Sequence, residues 1–365
     1  MGSRQEWGWD ASFESQWLET EGERGLPARV IGGAREMFRV AIPDGQDAWA
    51  TPSGRLRRGV SGDGGWPAVG DWVLLSAHGP DAPAGAAAST RTIVRVLGRR
   101  TWLARHAPDD RAGMQVLAAN VDVACIVTSL NRELNPRRIE RYLAMVHQGG
   151  VAPVLVLTKA DLLADGEAPA VEPSSLAPGV PTLVVSALTG AGLPALSEYL
   201  APGRTVVLVG SSGVGKSTLA NALLGREAQA VREVRADDDR GRHTTTGREL
   251  FRLPGGAMLI DTPGLRELGL AEPDGALGAV FSDVEGLAGR CRFQDCRHES
   301  EPGCAVKAAV EAGALDAGRF EGYRKLRREA AFRAAEADPA EARKRKAQDK
   351  TLARLVKQVK DLKRK

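Results

Sequence analysis

Residues 205–225 constrain the fold of this 365-residue chain more than any other stretch. Thr205-Val-Val-Leu-Val reads as a buried strand. Gly210-Ser211-Ser212-Gly213-Val214-Gly215-Lys216-Ser217-Thr218 follows, and Leu-Ala-Asn-Ala-Leu-Leu continues as a helix up to Gly225. The pattern G-x-x-x-x-G-K-S between a strand and a helix is a phosphate-binding loop. Its glycines let the backbone wrap an anion, so that successive N–H groups and the helix N-terminus point at phosphate oxygens. Lys216 is expected to reach the β- and γ-phosphates, and the Ser217 hydroxyl to ligate Mg²⁺. The chain is therefore expected to bind a nucleoside triphosphate, and its core to be a parallel α/β sheet.

Short apolar runs at 123–128, 154–158, 182–186 and 258–261 alternate with helical segments, the pattern of parallel strands covered on both faces. Asn135-Pro136 supplies an N-cap and first residue for a helix carrying Ile139, Leu143 and Val146. The segment 165–181 is rich in Pro, Ala and Glu and reads as a surface excursion, and Cys125, in mid-strand, reads as core.

Two strand ends carry base-reading chemistry. Thr158-Lys159-Ala160-Asp161 has the form [NT]-K-x-D. The Asp161 carboxylate can accept from both N1–H and the 2-amino group of guanine, a donor pair that adenine lacks, while the Lys159 stem packs on the base. Ser186-Ala187 matches a loop whose backbone N–H meets guanine O6. GTP is thus expected over ATP. The threonines Thr244–Thr246 and Asp261-Thr-Pro-Gly264 complete the set, but in a Ras-like chain the phosphate loop comes first and the base loops last. Here the base loops precede the phosphate loop, and the order describes a circular permutation. Asp261 would face Mg²⁺ through water, and the Gly264 N–H would meet the γ-phosphate. The segment after Gly264 leads straight into a Cys/His-rich region, so a γ-phosphate-dependent shift could pull on that region. Identical hydrogen-exchange protection of residues 270–320 with GDP and with a GTP analogue would refute this.

The Gln that orients attacking water in Ras-like proteins is replaced by Leu265, which predicts slow intrinsic turnover. The segment Glu227–Thr246 is polar and Arg-rich, as suits a switch, and Thr245 or a neighbouring threonine is expected to cap Mg²⁺ and γ-phosphate. His243 is the candidate for positioning water; the competing reading is a solvated histidine or a partner contact. Arg240 and Arg242 suit RNA phosphates as well as they suit the γ-phosphate.

The flanks are unlike this centre. β-type segments at 37–42, 47–51, 69–76, 92–97 and 102–106, separated by Gly/Pro-rich connections, predict a small antiparallel barrel; residues 1–27 read as a short helix and linker, and 79–89 as a low-complexity loop. All Trp residues lie between Trp7 and Trp102. Cys291, Cys296, His298 and Cys304 have the spacing C-x4-C-x-H-x5-C, which closes a tetrahedral Zn²⁺ with no open position, hence one structural zinc. Residues 324–365 contain 16 Lys+Arg against 6 Asp+Glu, a balance of +10, so the formal +4 of the chain conceals a body at −6. A basic tail of helical composition, with a break expected at Pro339, attracts phosphate backbones. It lacks the apolar face of a membrane-surface helix. No apolar run reaches the roughly 18–20 residues of a membrane span, and the N-terminus has no apolar signal core. Clustered thiols of this kind belong to a reducing compartment, so the cytoplasm is expected.

Taken together, the motifs resemble the circularly permuted, small-ribosomal-subunit-dependent GTPases of the RsgA/YjeQ family. The resemblance runs from Trp9-Asp10 through A-V-G-D-W-V (68–73), V-L-A-A-N-V-D (116–122), T-S-L-N (128–131), N-P-R-R-I-E-R-Y-L (135–143), L-T-K-A-D-L, the phosphate loop, G-R-H-T-T-T and D-T-P-G to the Cys/His spacing. It implies an N-terminal extension (1–27), an OB-fold barrel (28–108) that binds RNA and a permuted α/β GTPase (109–269). A zinc-binding, mostly helical domain (270–323) and a basic helical tail (324–365) complete it. It also implies a monomer that acts late in 30S assembly, binds 16S rRNA near the decoding region and is released on hydrolysis of GTP to GDP. Thr158 stands where many members carry Asn, which is expected to loosen the base loop slightly; the tail exceeds what the family core requires. Two other readings are a permuted GTPase of 50S assembly and a nucleotide-gated RNA-binding factor with incidental hydrolysis.

Overall fold

The computed structural model describes residues 3–20, 25–34, 36–43, 45–59, 65–76, 90–106, 114–130, 134–163, 172–225, 248–261 and 274–337. Two compact units, 1–269 and 270–365, divide the chain.

The first unit opens with a closed barrel of order β1-β2-β3-β5-β4, built from Leu26–Ala34, Met37–Ala41, Ala48–Pro52, Arg91–Val96 (β5) and Trp72–Leu75 (β4). Alternate residues fill its interior, Ala28 and Val30 from β1, Phe38 and Val40 from β2, Val73 and Leu75 from β4, as the two-residue period of a strand requires. The opposite face of β4 is buried too. Trp72 and Leu74 pack with Trp9, Phe13 and Leu97, and the Trp9 and Trp72 rings meet edge-on at 4.7 Å. The helix that brings Trp9 and Phe13 there, α1 (Ala11–Leu18), is capped by Asp10, whose carboxylate accepts from Ser12 N at 2.9 Å and Phe13 N at 3.2 Å. The short helix read in residues 1–27 is thus an outer layer of the barrel.

Three further differences from the sequence reading concern the strands. The barrel is not wholly antiparallel, because β3 and β5 pair in parallel. Trp102–His106 (β6) pairs with Met114–Ala119 (β7) as a separate two-stranded sheet rather than joining the barrel. The first barrel strand, β1, was not marked by its sequence because Pro27, Gly32 and Gly33 break the strand signal. In the fold those glycines accommodate a bulge, seen as a register shift between Val30 and Gly32. The second helix, α2 (Gly54–Gly59), follows β3 (Ala48–Pro52).

The larger sheet has the order β10-β9-β8-β11-β13-β12. Val123–Ser129 (β8), Ala152–Thr158 (β9), Thr182–Val184 (β10), Thr205–Val209 (β11) and Met258–Asp261 (β13) run parallel, and Glu249–Arg252 (β12) is an antiparallel edge. Helix α3 (Pro136–Gln148) packs on β8 and β9, and Asn135 caps it by accepting from Arg138 N at 3.3 Å. Val123, Cys125, Val127, Val206 and Leu208 pack with Leu196 of α4 (Leu193–Leu196) and with Leu219 and Leu224 of α5 (216–225). Cys125 is fully buried, which pushes its thiol up to about 12, so it packs as an apolar residue.

A buried arginine joins barrel to sheet. Arg29 of β1 is 1% exposed. It donates to Thr205 Oγ1 (2.8 Å) at the start of β11, to Asn120 O (3.3 Å), to Gly70 O (3.3 Å) and to Trp7 O, and lies 3.3 Å from Met258 Sδ in β13. Burial lowers its pKa to about 10, which still leaves it charged. Asp71, fully buried, pairs with Arg99 at 2.6 Å and accepts from Ala68 N at 2.7 Å. The A-V-G-D-W-V stretch is thus held by its own carboxylate.

The second unit contains α6 (Asp274–Val280), α7 (Ser282–Ala288), α8 (Ala305–Glu311) and α9 (Ala317–Ala337). Tyr323 of α9 stacks edge-on against Phe281 at 5.5 Å and donates to Glu285 Oε1 at 2.8 Å. Arg319 forks onto Asp283 at 2.6 and 2.8 Å. None of the described helices is long and apolar enough to cross a membrane. The expected break at Pro339 and the tail beyond 337 lie outside the described residues, as do 79–89 and 164–171.

Candidate nucleotide site and metal centre

Parallel strands deliver their C-terminal ends to one edge of a sheet, where ligands of open α/β folds bind. Here that edge gathers Thr158 at the end of β9, Ser186 just past β10, Gly210 just past β11 and Asp261 at the end of β13. Segments as far apart as Thr158 and Asp261, 103 residues along the chain, are brought together by strand order.

The base-loop candidates meet directly. Ser186 Oγ donates to Asp161 Oδ1 at 2.5 Å, and Ala160 N donates to Val185 O at 3.2 Å. Lys159 adopts the left-handed conformation (φ 61°) that turns the chain from β9 into a short 3₁₀ turn, Ala160–Leu162. Asp161 is exposed, Ser186 buried, and Lys159, Ala160 and Ala187 half-buried. A carboxylate at the surface, oriented by a buried hydroxyl, can accept from a planar ligand with two adjacent N–H donors.

Thr158 is 2% exposed, and its hydroxyl lies 2.5 Å from Val214 O and 3.1 Å from Thr128 O. The side chain expected to loosen the base loop therefore links it to the phosphate loop. An Asn amide could donate to two carbonyls at once, whereas a hydroxyl donates to one at a time.

The phosphate-loop candidate turns through Gly210 (φ 152°), Gly213 (φ 81°) and Gly215 (φ 95°). At Gly210 a Cβ would run into the Val127 carbonyl oxygen of β8, so the close approach of loop and sheet needs glycine. Val214 is buried beneath the loop, Ser211 and Gly215 are half-buried, and Ser212, Gly213, Ser217 and Thr218 are exposed. Helix α5 begins at Lys216, so Ser217 and Thr218 lie in its first turn, where N–H groups have no intrahelical partner. Lys216 Nζ donates to Gly210 O at 2.8 Å and to Ser211 O, an ammonium curled over the loop's own carbonyls. A loop turned by glycines, a helix N-terminus and a lysine fit a polyphosphate.

One residue at this edge went unassigned in the sequence. Arg138, in the first turn of α3, donates from Nη1 to Ser211 Oγ at 2.7 Å. Its only sequence signal was the Arg-Arg pair after Asn135-Pro136.

Thr244, His243, Thr245, Thr246, Arg240, Arg242, Gly264 and Leu265 lie outside the described residues. Of the hydrolytic candidates, only Asp261 is placed, half-buried at the end of β13.

In the second unit, Cys291, Cys296, His298 and Cys304 converge, with one ligand atom from each lying within 4.8 Å of the others. Cys291 Sγ stands 3.7 Å from His298 Nδ1 and 3.9 Å from Cys304 Sγ, and His298 Nδ1 stands 3.4 Å from Cys304 Sγ. Tetrahedral zinc with Zn–S near ~2.3 Å and Zn–N near ~2.0 Å places its donors about 3.5–3.8 Å apart, so the donor set fits. Cys296, His298 and Cys304 are buried and Cys291 is half-buried. His298 has φ 62°, an unusual backbone for a non-glycine residue, which turns its ring into the cluster. Cys304 also caps α8, accepting from Lys307 N at 3.5 Å, so the cluster and the helix start together.

Residues 96–271 match the model of the RsgA GTPase family. The small ribosomal subunit biogenesis GTPase RsgA of Syntrophotalea carbinolica is 45% identical over 355 residues, 95% of each chain. The protein of the same name from Streptomyces coelicolor is 44% identical over 330 residues, 88% of this chain and 85% of its own. Among solved structures, YjeQ from Thermotoga maritima aligns with TM-score 0.60 and 28% identity over 84% of this chain and 98% of its own. YloQ, described as a circularly permuted GTPase, shares the fold with TM-score 0.53 at 23% identity, over 85% of this chain and 96% of its own. With 45% identity over 95% of its length to one such GTPase and the family model matching residues 96–271, this chain belongs to the RsgA GTPase family.

Proposed function

We propose that this protein is a GTPase of small ribosomal subunit biogenesis that hydrolyses GTP to GDP and phosphate. It would bind 16S rRNA of the 30S subunit near the decoding region and leave after hydrolysis. The observation that carries this reading is the meeting of two base-loop candidates and a phosphate loop at one sheet edge, in permuted order.

In this reading Asp161 accepts from guanine N1–H and the 2-amino group, held by Ser186, while Lys159 and Ala160 border the base and the Ala187 N–H meets O6. Gly210 to Gly215 present backbone N–H groups to the phosphates, and Lys216, with Ser217 and Thr218 beside it in the first helical turn, meets their charge. Magnesium, when bound, would neutralise the β/γ oxygens; Ser217 and Thr245 would hold it and Asp261 would face it through water. Leu265 has no hydrogen-bonding group, so His243 takes the task of orienting water, and Gly264 offers its N–H to the γ-phosphate. Cys291, Cys296, His298 and Cys304 would hold one zinc, whose role with four protein donors is structural.

The domain assignment proposed is an extension (1–27), an RNA-binding barrel (28–108), the GTPase (109–269), a zinc domain (270–323) and a basic tail (324–365), acting as a cytoplasmic monomer. GTPase assays with 30S, with 50S, with free RNA and with none of these test the function. Strong stimulation by 30S alone is expected. Stimulation by 50S alone would move the protein to the other subunit, and no stimulation by any would leave a nucleotide-gated RNA binder. His243→Ala should abolish the stimulated rate; full retention of that rate would remove His243 from catalysis.

A further inference from the structure

The start of α3 carries adjacent arginines that part company. Asn135 caps the helix and Pro136 occupies its first position, so the backbone of the first turn is fixed. Arg137 turns to Glu140, whose side chain is 4% exposed, and meets both carboxylate oxygens at 3.1 Å. Arg138 turns the opposite way and reaches Ser211 Oγ, 73 residues along the chain, at 2.7 Å. Among the described residues no carboxylate pairs with Arg138. A guanidinium normally spends its charge on an acid; this one spends it on the second residue of the phosphate loop.

Ser211 is held from both ends. Its carbonyl accepts from Lys216 Nζ and its hydroxyl accepts from Arg138. Three residues on, the Val214 carbonyl accepts from the Thr158 hydroxyl. The loop is therefore tied at its beginning to α3 and in its middle to β9. The β9 tie comes from a loop that reads the base; the α3 tie comes from a helix that supplies none of the base-loop or phosphate-loop residues. Gly210 and Gly213 flank the Arg138 tie, and glycines give a loop freedom that must be removed before its N–H groups can converge on a ligand.

We infer that Arg138 is a positioning residue of the phosphate loop. By holding Ser211 it fixes the first half of the loop in the shape that presents its N–H groups and Lys216 to a nucleotide's phosphates. Arg138 acts through the Ser211 hydroxyl, so it favours GDP and GTP alike and lowers KM with little effect on kcat. This rests on the nucleotide reading above. It also gives the start of α3 a means of altering nucleotide affinity from outside the site, because moving it releases Ser211.

The test is a double-mutant cycle in the full-length, zinc-loaded protein with Arg138→Ala, Ser211→Ala and the pair. Equilibrium binding of fluorescent GDP and of a non-hydrolysable GTP analogue is measured alongside KM and kcat. Each single variant should weaken both nucleotides by about tenfold, the scale of one charge-assisted hydrogen bond. The pair should lose no more than either alone, kcat of Arg138→Ala should stay within about twofold, and Arg138→Lys should recover part of the loss. Thermal unfolding checks that Arg138→Ala, an exposed residue, remains folded. Additive losses in the pair, unchanged affinity in Arg138→Ala, or a fall in kcat at constant KM would each overturn the inference. If the unaltered protein binds neither nucleotide, the nucleotide reading itself has failed, and the inference that rests on it falls with it.

Discussion

The two candidate sites are assembled by opposite means. The Cys/His cluster comes from the stretch Cys291–Cys304, where a short loop and the first turn of α8 bring four donors within 4.8 Å of one another. The nucleotide edge comes from three loops, 158–161, 186–187 and 210–218, which approach only because β10, β9, β8 and β11 lie side by side. A local site depends on its ligands and forms with its metal; a topological site depends on the sheet, and individual contacts refine it. Perturbations should therefore separate the two.

The largest effect is expected from zinc removal. Structural zinc contributes on the order of 10 kcal/mol or more to small metal-dependent modules, so chelation or Cys304→Ala should melt the second unit. Guanine-nucleotide affinity of the first should change less than about twofold, because the sheet needs no metal. Thiol counting sharpens this. Chelation should expose Cys291, Cys296 and Cys304 to a thiol reagent, while Cys125, with its thiol pushed up to about 12 by burial, reacts only after global unfolding. Loss of nucleotide binding on chelation would show that the two sites are not separable.

Lys216→Ala is the converse experiment. Removing the ammonium proposed to meet the phosphates should lower the rate of GTP hydrolysis by about 10²–10³, with zinc stoichiometry and the melting of the second unit unchanged. Thr158→Val comes next. Losing the hydroxyl at Val214 O should weaken nucleotide binding by about tenfold, the cost of one buried hydrogen bond with its acceptor left unpaired, and Thr158→Asn should preserve affinity. If Thr158→Val were neutral, the base and phosphate loops would be held together by strand order alone.

The smallest effect is electrostatic and confined to the second unit. Burial alone would raise the Asp283 pKa, but the hydrogen bonds and charge of Arg319 outweigh it and hold the carboxyl below its ordinary value. A group whose pKa is lowered by folding stabilises the fold above its unfolded pKa and loses that contribution as pH falls through the folded value. The second unit should therefore weaken in acid from about pH 5 downward. Asp283→Asn should flatten that slope slightly, since the Asp283 side chain is 43% exposed and its pairing is screened by water. An unchanged slope would assign acid sensitivity elsewhere.

Legibility in the sequence follows the same division. The phosphate loop was readable because its chemistry demands glycines, a lysine and a serine at fixed spacing in contiguous chain, and the Cys/His spacing was readable for the same reason. The parallel strands were readable as apolar runs because both their faces are buried. Strand pairing was not readable. Nothing in Trp102–His106 says that it pairs with β7 rather than with the barrel, and nothing in Glu249–Arg252 marks an antiparallel edge. The sequence hid β1 behind Pro27 and the glycines of its bulge, and the short helix read in residues 1–27 gave no sign that Trp9 and Phe13 cover β4.

What the sequence alone determined was chemistry of short range: a phosphate-loop pattern, a Cys/His spacing, strand and helix periods, and a permuted motif order that already implied the family. What only the tertiary structure decided was which distant groups meet. Arg29 buries its charge among the oxygens of Thr205, Asn120 and Gly70. Thr158 reaches Val214, and Arg138 reaches Ser211. Each pairs a side chain with an atom dozens of residues away. Such a pairing leaves no periodic or spaced trace in the chain, because the sheet that brings the partners together is specified by the burial of many apolar residues and not by either partner.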